Sequence, residues 1–223
     1  MSHPSNANST LRTLTGATAF AFAVGCGFSA SKVIADPAPN ADLRPSSASI
    51  EKVLKGMWTK VESGWEDRLI QDATQITCSQ YRNDPPSAEA DAIVAREAAT
   101  IVMPAGGNVV GDWKEGEKIA SSGRGGQFSD PPNTTNGGNC YACHRLSKTE
   151  LSYGTLGPSL MDYGRHREFS MDAAKLAYAK IYNAQSVYAC SNMPRFGAHK
   201  FLTEQQIKDV VAFLFDKESP VNK

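Results

Sequence analysis

Residues 139–144 of this sequence read NCYACH, two cysteines three positions apart with a histidine directly after the second. Two thiols at this spacing can add to the two vinyl groups of one porphyrin, and the following imidazole then lies beneath the ring, where it can bind iron. We therefore predict that Cys140 and Cys143 hold one haem c covalently and that His144 is its proximal iron ligand.

Three other interpretations of this motif exist. A structural zinc site needs two further ligands in a second cluster, and the sequence contains no second C-x-x-C and no H-x-x-H. A redox-active dithiol normally begins a helix within an alternating α/β pattern, which is missing here. The third is a chance occurrence. Haem attachment is favoured over these three interpretations, because the chain has the pattern of an exported, helical protein with long loops.

The pattern around the motif predicts a mainly α fold with long loops. Helical periodicity follows Gly111, Ser170 and Thr203, and Thr203–Gln206 is a capping box that opens the last helix. We expect a close crossing of the first and last of these helices at Gly116 and Phe213. No strand pattern is strong. Loops this long need something to organise them, and a large buried cofactor would do so.

A separate helical extension is predicted before the haem domain. Apolar residues at helical spacing begin at Ile50 and predict a helix that runs to about Ile70 or beyond. A second helix is expected over residues 88–101. The Pro/Gly-rich loop that follows marks the boundary, so we assign residues 36–105 to the extension and residues 106–223 to the main domain.

The N-terminus is typical of an exported protein. Residues 1–35 contain Arg12 and Lys32, no acidic residue, and an apolar run over residues 14–28. This pattern predicts a cleaved secretory signal peptide, a mature chain that starts at Asp36 and a periplasmic location. A buried N-terminal helix and lipid modification of Cys26 are the alternatives, although residues 23–25 match a lipobox poorly. No stretch of 18 apolar residues exists, so no membrane-spanning helix is expected.

Charge and side-chain chemistry narrow the function classes. The 223 residues contain 23 Lys and Arg against 23 Asp and Glu, so the sequence gives no general basic field for nucleic acid. No Ser/His/Asp set and no carboxylate pair stands out. We therefore assign no catalytic residue to this chain.

The sixth iron ligand is expected on a loop well downstream of the motif. Met193 fits best, because Pro194 stiffens its loop and Gly197 permits a turn. Methionine ligation favours reduced iron. His199 is a weaker alternative as the ligand, and a core residue with no part in ligation is the other interpretation of Met193. We also assign Pro158 to the cofactor site, since it can stack near the proximal imidazole and offer a carbonyl that fixes its tautomer. An ordinary turn proline is the alternative.

The remaining cysteines predict a disulfide. Of the five cysteines, Cys26 leaves with the signal and two are taken by haem, which leaves Cys78 and Cys190 in an oxidising compartment. A bond between them would tie the extension to the base of the Met193 loop. A reactive thiol at either position is the alternative, and nothing in the sequence argues for it.

Several segments together resemble the SoxX family, the monohaem cytochrome subunit of the SoxAX complex of bacterial thiosulfate oxidation. The resemblance covers roughly residues 65–222. Its most similar segments are residues 111–120, 138–144, 154–159, 180–183, 190–197, 202–203 and 219–222.

The resemblance implies a class I cytochrome c domain in which His144 and Met193 bind iron. It implies a SoxA-type partner that carries the catalytic haem, so that the heterodimer acts as an L-cysteine S-thiosulfotransferase, conjugating thiosulfate to a cysteine of the SoxYZ carrier protein. Electrons would pass through the haem of this chain to a soluble cytochrome c. The alternatives are a free-standing periplasmic electron carrier and a haem enzyme such as a thiosulfate dehydrogenase.

Overall fold

Helices form the regular structure of this chain in a computed structural model, which describes residues 46–61, 66–127, 129–131 and 133–223. The predicted signal peptide, with Cys26, lies outside the described residues. Within the described residues there is no strand, and the mainly α prediction is confirmed. The helices are α1 (Ser47–Met57), α2 (Ala73–Gln80), α3 (Ser87–Ala98), α4 (Trp113–Ser121), α5 (Met171–Tyr182) and α6 (Glu204–Phe215).

The core is built where α4 crosses α6, with α5 packed against α6. Gly116 makes this crossing possible, since a Cβ atom there would lie 1.9 Å from the Asp209 carbonyl oxygen and 2.9 Å from the Phe213 Cβ. The predicted close contact of Gly116 with Phe213 is therefore confirmed. Tyr178 and Ile207 are completely buried at the centre of this core.

Helix α6 begins at the predicted capping box. The Thr203 side chain accepts a hydrogen bond from the Gln206 backbone N–H, and the Gln206 side chain accepts one from the Thr203 backbone N–H. These two bonds satisfy backbone donors that a helix start otherwise leaves unpaired. The helix ends at Phe215, and its register presents Val210, Val211 and Leu214 to the core.

The extension differs from the prediction in its first helix. The helix expected to reach about Ile70 ends at Met57, and a separate helix, α2, begins at Ala73. Val53 and Met57 are 59% and 70% exposed, so the apolar stripe of α1 has no core to extend along. The start of α2 carries its own signal, a capping box between Asp72 and Gln75 that the sequence analysis missed.

The extension is bonded to the haem domain at several points. Helix α3 begins directly after Pro86 and buries Ile93 and Glu97. Farther along, the Tyr178 hydroxyl donates a hydrogen bond to the Val102 carbonyl oxygen at 3.2 Å. The boundary between residues 105 and 106 stays a prediction.

Candidate haem site

The attachment motif is a single 3₁₀ turn, Cys140–Ala142, which packs against α4. The backbone N–H groups of Cys143 and His144 both donate to the Cys140 carbonyl oxygen, at 3.1 and 2.9 Å. Side chains three residues apart eclipse each other in such a turn. Cys140 and Cys143 therefore project to the same side, as attachment to one porphyrin requires.

Two backbone bonds fix this turn to the first helix of the haem domain. Gly138 donates to the Ile119 carbonyl oxygen at 2.8 Å, and Asn139 donates to the Ser122 carbonyl oxygen at 2.9 Å. Asn139 has a left-handed backbone, with φ of 48°. Asparagine is one of the residues that tolerates this conformation, which reverses the chain just before the first cysteine.

The two motif cysteines are thiols rather than a disulfide. Cys140 packs against the main hydrophobic core, and burial raises the pKa of its thiol to about 12. A redox-active dithiol has the opposite character, an exposed thiol of lowered pKa. The environment of Cys140 therefore suits a buried covalent attachment point and does not suit a reactive dithiol.

The imidazole of His144 is oriented by the Pro158 carbonyl oxygen, which lies 2.7 Å from Nδ1. A carbonyl oxygen can only accept, so Nδ1 carries the hydrogen and Nε2 keeps its lone pair. A metal-binding histidine is normally oriented through its second ring nitrogen in this way. The arrangement leaves Nε2 of His144 as the nitrogen available to iron.

Gly154 and Gly157 let the Pro158 loop lie against the motif. A Cβ atom at Gly157 would fall 2.2 Å from Cε1 of the His144 ring, and one at Gly154 would fall 1.7 Å from the Ala142 carbonyl oxygen. Both backbones also donate into the motif, Gly154 to Tyr141 and Gly157 to Cys143, each at 2.8 Å. The signal in the sequence was the G-x-x-G-P spacing of residues 154–158.

These features fit a covalently bound haem. The motif offers two thiols on one side. The orienting hydrogen bond of the imidazole uses Nδ1 and leaves Nε2 for iron, and Gly157 lets the neighbouring loop lie close to that ring. In the part of the chain that the structure describes, no group of three or more His, Cys, Asp or Glu side chains is placed to hold a metal ion.

Met193 lies on the loop over residues 190–197, half-buried against the main core. Its backbone N–H donates to the Ser191 hydroxyl at 3.3 Å. Gly197 lies in a turn, as expected. Its φ is outside the left-handed region, and a Cβ atom there would lie 2.3 Å from the Tyr182 ring, so the close approach to Tyr182 is what requires glycine. Distal ligation by Met193 stays a prediction, and His199 is exposed.

Cys78 of α2 and Cys190 of the Met193 loop are joined by a disulfide. Their Cα atoms are 5.4 Å apart, although the two residues are separated by 112 positions in the sequence. Cys190 has a left-handed backbone, with φ of 57°. The covalent link therefore connects the extension to the loop three residues before Met193.

A buried ionic cluster forms around Arg195, which follows Met193 in the same loop, whereas Cys190 precedes it. The sequence did not predict this cluster. The Arg195 and Glu97 side chains are each only 7% exposed, and Nη1 of Arg195 lies 3.3 Å from Oε2 of Glu97. The second terminal nitrogen of Arg195 pairs with the Asp72 carboxylate. Burial alone raises the pKa of Glu97, but hydrogen bonds from Thr74 and Asn183 and the charge of Arg195 hold it below its ordinary value.

Comparison with known proteins gives two matches. The family model for cytochrome c matches residues 126–216, which include the attachment motif, the Pro158 loop and the Met193 loop. An uncharacterized lipoprotein of Aquifex aeolicus (strain VF5) is 34% identical over 212 residues, a match that covers 93% of this chain and 99% of that protein. No helix in the described ranges is both long and apolar enough to cross a membrane.

Proposed function

Because this chain belongs to the same family as the Aquifex aeolicus lipoprotein and contains a cytochrome c domain, we propose that it is the electron-transfer subunit of a SoxAX-type complex. A cytochrome c domain implies covalently bound haem c. The proposal goes further: one haem, a SoxA-type partner that performs the thiosulfate chemistry, and electrons leaving through this chain to a soluble cytochrome c.

The observation that carries the electron-transfer role is the bond between His144 and the Pro158 carbonyl oxygen. It fixes the ring tautomer and so presents Nε2 to iron. When bound, haem c supplies a one-electron iron couple. Cys140 and Cys143 hold the group in place, and the half-buried thioether of Met193 is the sixth ligand in this proposal. His/Met ligation raises the reduction potential, which suits an electron acceptor.

The SoxAX assignment is supported by the sequence segments that resemble SoxX. A single C-x-x-C-H motif in the chain supports one haem. With His144 and Met193 both holding the iron, no ligand position would remain open for substrate. The transfer of thiosulfate to the SoxYZ carrier is therefore assigned to the partner subunit, and this chain contributes no catalytic residue to the L-cysteine S-thiosulfotransferase reaction.

The test is the rate of haem reduction in the purified, haem-loaded chain mixed with thiosulfate and the SoxYZ carrier. We expect reduction only when the SoxA-type partner is added, and none when the carrier is left out. Fast reduction by this chain and thiosulfate alone would instead support a haem enzyme such as a thiosulfate dehydrogenase. No reduction even with the partner, while the haem still exchanges electrons with a soluble cytochrome c, would support a free-standing carrier.

We also propose that the chain is exported to the periplasm. The name of the Aquifex aeolicus relative, a lipoprotein, supports export and favours lipid modification of Cys26 over cleavage before Asp36. The mass of the mature N-terminus distinguishes the two routes, with Cys26→Ser as the control that blocks lipid attachment. A mature protein that retains Met1 and stays in the cytoplasm would contradict export by either route.

A further inference from the structure

We propose that Arg195, clamped by Asp72 and Glu97 of the extension, is a positioning residue that holds the loop over residues 190–197 and so keeps Met193 on the iron. This inference rests on the proposed ligation by Met193. It assigns a function to the extension: its carboxylates restrain the distal side of the haem.

The clamp is close to the ligand along the chain. Arg195 lies two residues after Met193, and Cys190, which is bonded to Cys78, lies three residues before it. Both anchors lead into the extension, the disulfide to α2 and the guanidinium to the N-cap of α2 and to α3. Met193 is therefore held between a covalent and an ionic attachment to the same part of the molecule.

The Glu97 carboxylate is fixed from several directions and gives Arg195 a rigid partner. Its Oε1 accepts a hydrogen bond from the Thr74 hydroxyl, and its Oε2 accepts one from the Asn183 amide at 2.7 Å. Asn183 is itself completely buried, and its side-chain oxygen accepts from the Gln185 backbone at 3.2 Å. Among the described residues, no buried side-chain nitrogen or oxygen lacks a hydrogen-bond partner.

Position, rather than stability, is the property that such a cluster supplies. Desolvation of the charges offsets most of the attraction in a buried ion pair, so the pair adds little net stability. Removing one partner, however, leaves a buried charge uncompensated and changes the preferred arrangement of the groups around it. Loss of either Arg195 or Glu97 would therefore release the loop, and with it the thioether of Met193.

The two ends of the clamp carry opposite charges, which separates positioning from a direct electrostatic effect on the iron. Arg195→Gln removes a positive charge and Glu97→Gln removes a negative one. If the cluster acts only through its charge, the first change lowers the reduction potential and the second raises it. If it positions Met193, both changes weaken the bond from sulfur to iron and both lower the potential.

The experiment uses the full haem-loaded chain and measures three quantities: the reduction potential, the methionine-to-iron charge-transfer band, and the affinity of the ferric haem for imidazole. For both variants we expect a lower potential, a weaker band and imidazole binding tightened by about tenfold, the effect of a tenfold larger fraction of open loop. Arg124→Gln, the same substitution at an exposed arginine outside the cluster, should match the wild type.

A milder variant keeps the proposal testable if the buried substitutions prevent folding. Asp72→Asn retains a good N-cap for α2 and leaves the Glu97 contact in place, while it weakens one of the two attachments of Arg195. We expect changes in the same direction but smaller. A potential that rises in Asp72→Asn or Glu97→Gln, or imidazole binding that stays at the wild-type value in all clamp variants, would overturn the positioning role.

Met193→Ala separates failure of this inference from failure of the proposed function. If Met193→Ala abolishes the charge-transfer band and the clamp variants leave it unchanged, Met193 is the ligand and the clamp does not position it. If Met193→Ala leaves the band and the potential unchanged, the ligand assignment itself is wrong, and the clamp proposal fails with it.

Discussion

The two sides of the haem site are held in different ways. On the proximal side, the partner of His144 is Pro158, 14 residues away, and the glycines that admit this loop lie between them. On the distal side, the Met193 loop is attached to residues that are distant in the sequence. Arg195 pairs with partners 98 and 123 residues away, and the disulfide joins residues 112 positions apart.

The difference separates attachment of the haem from control of its iron. The proximal side is built from the motif, the Pro158 loop and the end of α4, all within the haem domain, so it forms wherever that domain forms. The distal loop depends on the extension. Changes in the extension should therefore alter the sixth ligand and the potential while they leave the covalent attachment intact, and changes in the motif cysteines should impair that attachment.

The largest effect is expected at the attachment motif. Cys143→Ala removes one of the two thioether bonds, so normal covalent loading should be lost, as judged by the intact mass and by haem retention on a denaturing gel. The paired variant Cys78→Ser with Cys190→Ser is the control, because it removes two cysteines of the distal side and should retain full covalent haem. Unaltered loading of Cys143→Ala would argue against the motif.

The second largest effect is expected from that same disulfide variant, now measured as stability. Loss of a bond across a loop of this length lowers the free energy of unfolding by about 2–4 kcal/mol, visible as a lower Tm of the haem-loaded protein. Because the loop that carries Met193 would then be held less firmly, the reduction potential should also fall. Two free thiols in the unmutated protein would show that the bond does not form.

A smaller effect is expected at Gly157. A methyl group there would collide with the His144 ring, which must then rotate away from the Pro158 carbonyl oxygen. Strain of this kind costs about 1–3 kcal/mol, and the altered imidazole should change the potential without loss of covalent haem. Gly56→Ala is the matched control, since a Cβ atom at Gly56 meets nothing within 4 Å. Equal behaviour of the two variants would contradict the proximal geometry.

The features of the site that are local in sequence could be predicted. The C-x-x-C-H turn depends on consecutive residues, and the capping box of α6 depends on Thr203 and Gln206 alone. The contact of Gly116 with Phe213 was also predicted, as the close crossing of first and last helices that is common in such domains. The extent of α1 was not, since the length of a short helix is determined by tertiary packing that its apolar stripe does not find.

The ionic cluster could not be predicted, because nothing in the neighbourhood of Arg195 indicates that it is buried. Charged side chains are almost never fully buried unless they are paired, so an arginine in a loop is expected on the surface. Its partners, Asp72 and Glu97, are found only when the fold brings the extension against the Met193 loop. The packing requirement for Gly197 could not be predicted for the same reason, since the Tyr182 ring that demands a glycine lies on another element.

The smallest effect is expected when the pH is lowered, which weakens the restraint on the Met193 loop. Arg195 and the hydrogen bonds of the cluster hold the pKa of both Glu97 and Asp72 below the ordinary values of 4.5 and 3.8, against the opposing effect of burial. Their contribution is therefore complete above pH 4.5 and is lost as the pH falls through the lowered pKa values. The methionine-to-iron charge-transfer band of the ferric haem should therefore weaken on acidification below about pH 4.

Glu97→Gln provides the control for this pH dependence, since it removes one of the two titrating groups. Its charge-transfer band should be weaker at neutral pH and should change less as the pH falls. A wild-type band that stays constant down to the onset of unfolding, with unfolding followed by far-ultraviolet circular dichroism, would show that these carboxylates do not restrain the loop.

The account depends most directly on Met193 as the sixth ligand. The decisive measurement is the methionine-to-iron charge-transfer band of the ferric, haem-loaded chain, recorded together with the reduction potential in the wild type, Met193→Ala and the control Met171→Ala at an exposed position. We predict that the band disappears and the potential falls in Met193→Ala only. A band and potential that survive in Met193→Ala would contradict the assignment, and the distal side of the site would have to be rebuilt around another residue.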